Sequence, residues 1–376
     1  MKLTVVIPCL DEAQIIEKAI GLAKGLVEAV GGDGEVLVAD NGSADASREL
    51  AAAAGARVVP VARRGYGFAL LTGIRAASGD VVVMGDADAT YDFREAAPLV
   101  EAVARGECDL AMGSRLRGDI EKGAMPFLHR WLGTPVLSWL IRLFFGLPIS
   151  DCNCGMRAFS KAAFARMHLV CGGMEFASEM LVKAALAGLR VKEWPVSLKK
   201  DTRNRTPHLH TWRDGWRHLR FLLLFAPHVL FRLPGTVLTV LFGLATLALA
   251  LGPVSVGGRT FDYHHLFYTV PLFFIGQQML WFHAFAVRFR RFAGLGGIPP
   301  RPLPLERWLV AGGLAMLAGL RVFGMVFARW WSSGRSALLA IQPCSLGLAF
   351  LLTGALSILN ALMTSMLELH FEARDG

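Results

Sequence analysis

Short apolar runs alternate with longer amphipathic stretches over the first 115 positions of the chain. The runs Leu3–Ile7, Glu35–Ala39, Arg57–Pro60 and Val81–Met84 read as strands, and the stretches around Glu12–Val30, Ala44–Ala54 and Gly67–Ala77 read as helices. Strands apolar at nearly every position are buried on both faces, so the pattern predicts an α/β domain with a parallel, Rossmann-like sheet of βαβ units. Ligands of such sheets sit outside the carboxyl ends of the strands. Asp11 and Glu12, Asp40, and the pair Asp86/Asp88 each follow a predicted strand directly, so three elements aim acids at one cleft.

Beyond Trp212 the pattern changes. His218–Leu233 is apolar but punctuated by Arg220, Pro227 and Arg232, which predicts amphipathic helices at a membrane interface rather than a span. The stretches Leu233–Leu251, His265–Val287, Trp308–Phe327 and Leu338–Met363 follow. Each supplies the roughly 20 apolar residues that cross a hydrocarbon core of about 30 Å. The expected organisation is a cytoplasmic α/β domain over residues 1–217, juxtamembrane helices over 218–232, and four transmembrane helices over 233–376.

Composition sharpens this division. The chain has 376 residues, 54% of them hydrophobic, and a net charge of +9. Residues 1–200 carry 23 basic and 23 acidic side chains, whereas residues 201–376 carry 16 Arg, no Lys and 7 acids. The positive charge therefore belongs to the most apolar half and reads as membrane-flanking arginine, not as a nucleic-acid surface. Arginines 203, 205, 213, 217, 220 and 232 precede the first span, and 288, 290, 291, 301 and 307 lie between the second and third, while the loop after the first span has Arg259 alone. By the positive-inside rule both termini are expected in the cytoplasm, although Arg329, Arg335 and the acidic tail fit that orientation less well. Arg321 falls inside the third span and calls for a protein partner, a lipid phosphate or snorkelling to the interface.

Several chemistries are excluded early. The run before Pro8 is too short for a secretory signal. Of the six cysteines only Cys152 and Cys154 are close in sequence, which predicts reduced thiols rather than a disulfide framework or zinc site. Gly65-Tyr66-Gly67 lacks the third glycine of a dinucleotide fingerprint, and no Walker lysine motif occurs. The positive candidate is Gly85-Asp86-Ala87-Asp88, because two carboxylates one residue apart at a strand end suit a hard cation, Mg²⁺ or Mn²⁺, carrying a diphosphate.

Taken in order, Val5–Glu12, Val38-Ala39-Asp40-Asn41-Gly42-Ser43, Arg64-Gly65-Tyr66-Gly67 and Gly85–Asp88 resemble glycosyltransferase family 2, whose catalytic domain has the GT-A fold. Gly113-Ser114-Arg115, Asp151-Cys152-Asn153-Cys154-Gly155-Met156-Arg157 and Glu175–Glu179 resemble its polyprenyl-phosphate branch, the dolichol-phosphate mannose and glucose synthases. The likeness covers about residues 1–235.

The resemblance implies roles residue by residue. Pro8, Glu12, Asp40, Gly65, Gly67 and Asp86 would line the nucleotide pocket, with Asp40 open to the alternative of an ordinary turn. Asp86 and Asp88 would hold the metal; Thr90 stands where many relatives have Gln, which leaves the third ligand open. Arg115 and Arg130 would clamp the acceptor phosphate, a planar fork suiting that dianion. Arg157, Glu179, Arg203 and Arg205 would serve the donor sugar and a loop covering it, Glu179 being equally readable as a helix-surface acid. The basic, aromatic segment Lys199–His218 is expected to be such a loop, poorly helical. Trp131–Ile149 is expected as an apolar helix lying on the membrane.

The implied reaction is transfer of a hexose, from UDP-glucose by preference or GDP-mannose, to polyprenyl phosphate with inversion. A processive polysaccharide synthase is the rival within enzymes, and Gln278-Met279-Leu280-Trp281 lacks the arginine such enzymes carry. A membrane scaffold or lipid-translocation partner is the rival outside them. The expected partners are the nucleotide sugar, the polyprenyl phosphate and the membrane, with homo-oligomerisation left open.

Overall fold

The computed structural model describes residues 1–203, 211–292, 304–333 and 340–375. The chain forms two compact units, Met1–Phe225 and Ala226–Gly376.

The first unit is an α/β sheet domain. Its elements run β1 (Leu3–Cys9), α1 (Ile16–Ala29), β2 (Gly34–Asp40), α2 (Ser47–Ala53), β3 (Arg57–Pro60), α3 (Tyr66–Ala76) and β4 (Val81–Met84). There follow α4 (Ala97–Ala104), β5 (Leu110–Ser114), α5 (Thr134–Phe145), β6 (Arg157–Ser160), α6 (Lys161–Met167), α7 (Phe176–Leu186), β7 (Val191–Pro195) and α8 (Thr211–Phe225). The seven strands order as β3-β2-β1-β4-β6-β5-β7. β1 pairs in parallel with β2 and β4, as the continuous apolar runs require, whereas β6 runs antiparallel between β4 and β5. Leu3, Val5, Val6, Ile7, Val82 and Val83 are completely buried, and Ile16, Ala19, Ile20, Ala23 and Leu26 form the inward stripe of α1. Each large aliphatic side chain so buried contributes about 1.5–3 kcal/mol.

At the opposite end of the sheet from the candidate cleft, Glu35 receives Nε and Nη2 of Arg57 at 2.8 and 3.1 Å, the Ser78 amide at 2.8 Å and the Thr4 hydroxyl at 3.0 Å. Burial pushes its carboxyl up, but the hydrogen bonds from Arg57, Ser78 and Thr4 outweigh burial and bring it down to about 2. A depressed folded pKa contributes stability above the unfolded value of about 4.3, and that contribution is lost as pH falls toward 2. Melting of the full chain between pH 5 and pH 2.5 is therefore expected to fall more steeply for the native protein than for Glu35→Gln; parallel curves would contradict this role.

Thr211–His218, where the sequence predicts an irregular loop, is the first part of the helix Thr211–Phe225, and the domain boundary expected at residue 217 falls inside this helix. His218 and Leu222, one turn apart, are buried on its inner side, and His218 Nδ1 lies 2.7 Å from the Ser178 hydroxyl of α7. Two inward positions at helical spacing override the local Arg/Trp composition.

The second unit contains α9 (Leu233–Leu251), a hairpin of β8 (Val254–Val256) and β9 (Arg259–Phe261), α10 (Leu266–Phe292), α11 (Leu305–Ser332) and α12 (Ile341–Asp375). Four of its helices are long and apolar enough to cross a membrane: His228–Leu251, Tyr263–Arg290, Leu305–Ser332 and Ile341–Leu367. With no hydrophobic drive between helices in lipid, close packing and polar pairs must hold the bundle. Gln278 and Asn360 exchange two amide hydrogen bonds of 3.2 and 3.1 Å, joining α10 to α12. Gly312 and Gly319 on α11 meet Gly354 and Gly347 on α12, each pair seven residues from the next, so the backbones touch. A side chain at Gly354 would collide with the Gly312 carbonyl and the Met316 backbone. Gly354→Leu is expected to cost about 3 kcal/mol or more through overpacking, read as a lower melting temperature in detergent.

Candidate active site

β1 lies between β2 and β4, so the loops leaving these three parallel strands share one edge of the sheet. Pro8 belongs to β1 itself. Beyond β1, the Asp11 amide donates to the Ser43 hydroxyl at 3.0 Å, and the Glu12 amide donates to Ser47 at 2.7 Å, tying this loop to the start of α2. Asp40, 2% exposed, accepts the Gly42 and Ser43 amides at 3.3 and 3.1 Å, with Arg48 3.6 Å away. Its carboxylate thus shapes the turn that follows β2.

The loop after β4 carries the acidic pair. Asp86 accepts the Tyr66 hydroxyl at 3.0 Å, and the backbone of Gly155 approaches so closely that a Cβ there would collide with the Asp86 carboxylate. Burial, together with the charge of Asp88, raises the Asp86 carboxyl to about 6. Asp88 Oδ1 accepts the Thr90 amide at 3.0 Å and hydroxyl at 2.7 Å. Ala89 takes φ 53° to make this tight turn. Thr90 therefore orients Asp88 and spends its hydroxyl there.

Arg203 binds across the cleft. Its guanidinium donates to Glu12 at 2.6 Å, to Asp88 at 3.3 Å and to Asp201 at 2.6 Å. Glu12, Asp88 and Arg203, distant in sequence, are thereby one cluster. Arg205 lies outside the described residues.

Gly65 and Gly67 pack under the loop that precedes α7: the Gly67 amide donates to the Gly172 carbonyl at 3.0 Å, and a Cβ on either glycine would strike that loop's backbone. Glu179, completely buried, builds the loop by accepting the Val170 amide at 3.0 Å and the Cys171 amide at 2.8 Å, and it pairs with buried Lys183 at 2.7 Å. It is a buried acid that shapes the loop against Gly65 and Gly67, not a surface acid.

After β5, Arg115 forms a two-pronged pair with completely buried Asp151: Nε to Oδ2 at 2.7 Å and Nη2 to Oδ1 at 2.8 Å, with the Arg115 amide adding 3.0 Å. Glu193 of β7 holds the Ser150 and Asp151 amides at 2.7 and 3.0 Å. Arg157, completely buried, donates to the carbonyls of Cys152, Cys154 and Ala177 at 2.8, 3.1 and 2.7 Å. It braces residues 152–155 and so the Gly155 contact on Asp86. Arg130 is exposed, with Cζ 5.5 Å from the Trp131 ring. Asp151, Glu193, Tyr66 and Asp201 are the members of this constellation to which the sequence assigned no role. Asp151 opens the Asp-Cys-Asn-Cys-Gly motif and was the discoverable one.

The donor set fits a hard divalent ion. Among the described residues no three acids, histidines or cysteines cluster as a metal cage. Mg²⁺-type ions, however, keep water and bind through one or two carboxylates plus substrate phosphates. Asp86 and Asp88 supply two such oxygens, and the upward shift of Asp86, from burial first and then from the charge of Asp88, marks buried negative charge that a cation would relieve.

The glycosyl transferase family 2 model matches residues 4–167, and the model of the family's C-terminal transmembrane region matches residues 300–368. The low-salt glycan biosynthesis hexosyltransferase Agl6 of Haloferax volcanii is 40% identical over 348 residues, covering 89% of this chain and 82% of that protein. This chain belongs to glycosyltransferase family 2. It is an integral membrane member, with a GT-A catalytic domain and a transmembrane region after it. A dolichyl-phosphate hexose transferase of the same organism is 29% identical over 187 residues, covering 49% of this chain and 78% of that one. Among solved structures, that of a mycobacterial protein superposes with a TM-score of 0.50 at 25% identity, over 60% of this chain and 74% of that one.

Proposed function

We propose that this glycosyltransferase moves a hexose from a nucleotide sugar, UDP-glucose or GDP-mannose, to the phosphate of a polyprenyl lipid, with inversion. The observation that carries the reading is the bridge made by residues 151–155, which joins an arginine fork oriented by a buried carboxylate to the Asp86/Asp88 pair. A phosphate acceptor suits Arg115, whose fork plane Asp151 sets, with Arg130 as a second cation from the adjoining helix. The relatives' names, a hexosyltransferase and a dolichyl-phosphate hexose transferase, support the hexose and the lipid phosphate.

The attacking phosphate oxygen is largely ionised at neutral pH, its second pKa being about 6, so no strong general base is needed. That oxygen forms the new bond to the anomeric carbon as the bond to the nucleoside diphosphate breaks. Mg²⁺ or Mn²⁺ held by Asp86 and Asp88 would supply charge stabilisation to the leaving diphosphate. Arg203, which pairs with Glu12 and Asp88, would add positive charge toward the same leaving group. Arg115 aligns the acceptor, and alignment supplies much of the rate.

A lipid acceptor also needs a surface. Phe127, Trp131, Trp139 and Leu143 are 78%, 64%, 51% and 57% exposed along the segment that ends in α5, with Arg130 and Arg142 among them. Such a face suits a bilayer interface. The arginine bias of the inter-span loops supports both termini in the cytoplasm. The test is transfer of labelled hexose to undecaprenyl phosphate by purified protein with Mg²⁺ or Mn²⁺ across UDP- and GDP-hexoses. A lipid-extractable product is expected; donor binding without any lipid product would overturn the reading.

A further inference from the structure

α11 carries an arginine at a depth where arginines are costly. The helix is 28 residues long, about 42 Å at 1.5 Å per residue, and the Cα of Arg321 lies only about 4 Å past its midpoint. Trp308 and Trp330, the aromatic residues toward its two ends, stand roughly 33 Å apart, which centres a hydrocarbon core of about 30 Å on the same point. Side chains on a helix lean toward its N-terminus, so the guanidinium of Arg321 is directed back toward the bilayer centre, not onward to the nearer interface.

Arg321 does not face the bundle. Gly312 and Gly319 turn the opposite side of α11 onto α12. Arg321 shares an exposed face with Leu314, Leu317, Gly324 and Ala328, and a Cβ added to Gly324 would meet nothing within 4 Å. Arg307 and Arg329 are exposed toward the two ends of the helix. Among the described residues the side chains of these three arginines form no ion pair or hydrogen bond. A second copy of the chain offers no neutralising group at this depth, since the acids of residues 226–376 are Asp262, Glu306, Glu368, Glu372 and Asp375, all at or beyond span ends. The remaining anion available within a bilayer is the phosphate of a lipid. An arginine held at mid-depth thins the bilayer locally and draws in water, which lowers the barrier to a charged headgroup.

We propose that the outward face of α11 is a path by which the phosphate of a membrane lipid crosses the bilayer, with Arg321 as its middle station between Arg307 and Arg329. This is a second activity, separate from transfer. It requires only the phosphate and stands or falls independently of the acceptor assigned above.

The experiment places the full chain in phosphatidylcholine vesicles containing traces of fluorescent phosphatidylglycerol or, as a hexose-bearing lipid without phosphate, fluorescent glucosylceramide. Dithionite quenching reads how fast each probe changes leaflet. The native chain is expected to speed phosphatidylglycerol about 10-fold over protein-free vesicles and to leave glucosylceramide unchanged; Arg321→Leu should fall to within about 2-fold of the protein-free rate, and Arg321→Lys should keep part of the effect. Sugar transfer in detergent, unaltered in Arg321→Leu, shows that the variant is folded. Equal acceleration of both probes, or an Arg321→Leu rate equal to the native one, would overturn the proposal. So would loss of cross-linked dimer in that variant with lipid movement unchanged, which would make the face a contact between copies.

Discussion

Asp88→Asn is expected to reduce hexose transfer by about 10³-fold or more, the scale of losing a charged ligand that stabilises a leaving group. Asparagine keeps the shape and can still accept the Thr90 hydrogen bonds now made to Oδ1. What it loses is the negative charge that Asp88 shares with Asp86 at the end of β4. The same change relieves the repulsion that, after burial, holds the Asp86 carboxyl up at about 6. The melting temperature is therefore expected not to fall, although the 3.3 Å pair with Arg203 is weakened. Loss of activity without loss of stability marks a functional rather than a structural acid. Retention of more than a tenth of the native rate, or collapse of the fold, would contradict the assignment.

Asp151→Asn is the second large effect, and it acts through Arg115. Asp151 is completely buried and holds Arg115 by three contacts of 2.7 to 3.0 Å, so the substitution leaves a mostly buried guanidinium without its counter-charge. Breaking such a pair costs about 3 kcal/mol. A merely structural role would stop there. A positioning role predicts in addition that KM for the lipid phosphate rises about 10-fold or more while KM for the nucleotide sugar stays within about 2-fold, because the disordered fork touches only the acceptor. A uniform fall in kcat with both KM values unchanged would remove Arg115 from the acceptor side.

The sheet edge and its acids were legible because β1, β2 and β4 are apolar along nearly their whole length and a carboxylate stands at the end of β2 and two residues beyond the ends of β1 and β4. The same periodicity placed the four apolar helices, the first with bounds identical to Leu233–Leu251. β6 was not legible: four residues beginning with an arginine do not read as a central strand, and Arg157 is tolerated there only because three carbonyls satisfy its guanidinium. Glu179 was ambiguous for a related reason. Its helix phase shows that it turns inward only once the loop at Val170–Gly173 is in place to receive its oxygens. Arg130 follows Phe127 and precedes Trp131 on an exposed face, and the motif alone did not separate it from Arg115. The Lys199–His218 segment divides at the described residues: Arg203 reaches the site, while Thr211 onward is helix.

The most direct measurement compares undecaprenyl phosphate with undecaprenol as acceptor for the purified full chain, supplied with labelled UDP-glucose or GDP-mannose and Mn²⁺. Transfer to the phosphate alone, giving a β-linked sugar phosphate from the α-linked donor, is the predicted result. Equal transfer to the alcohol, or an α-linked product, would contradict a site built to align a lipid phosphate for inversion.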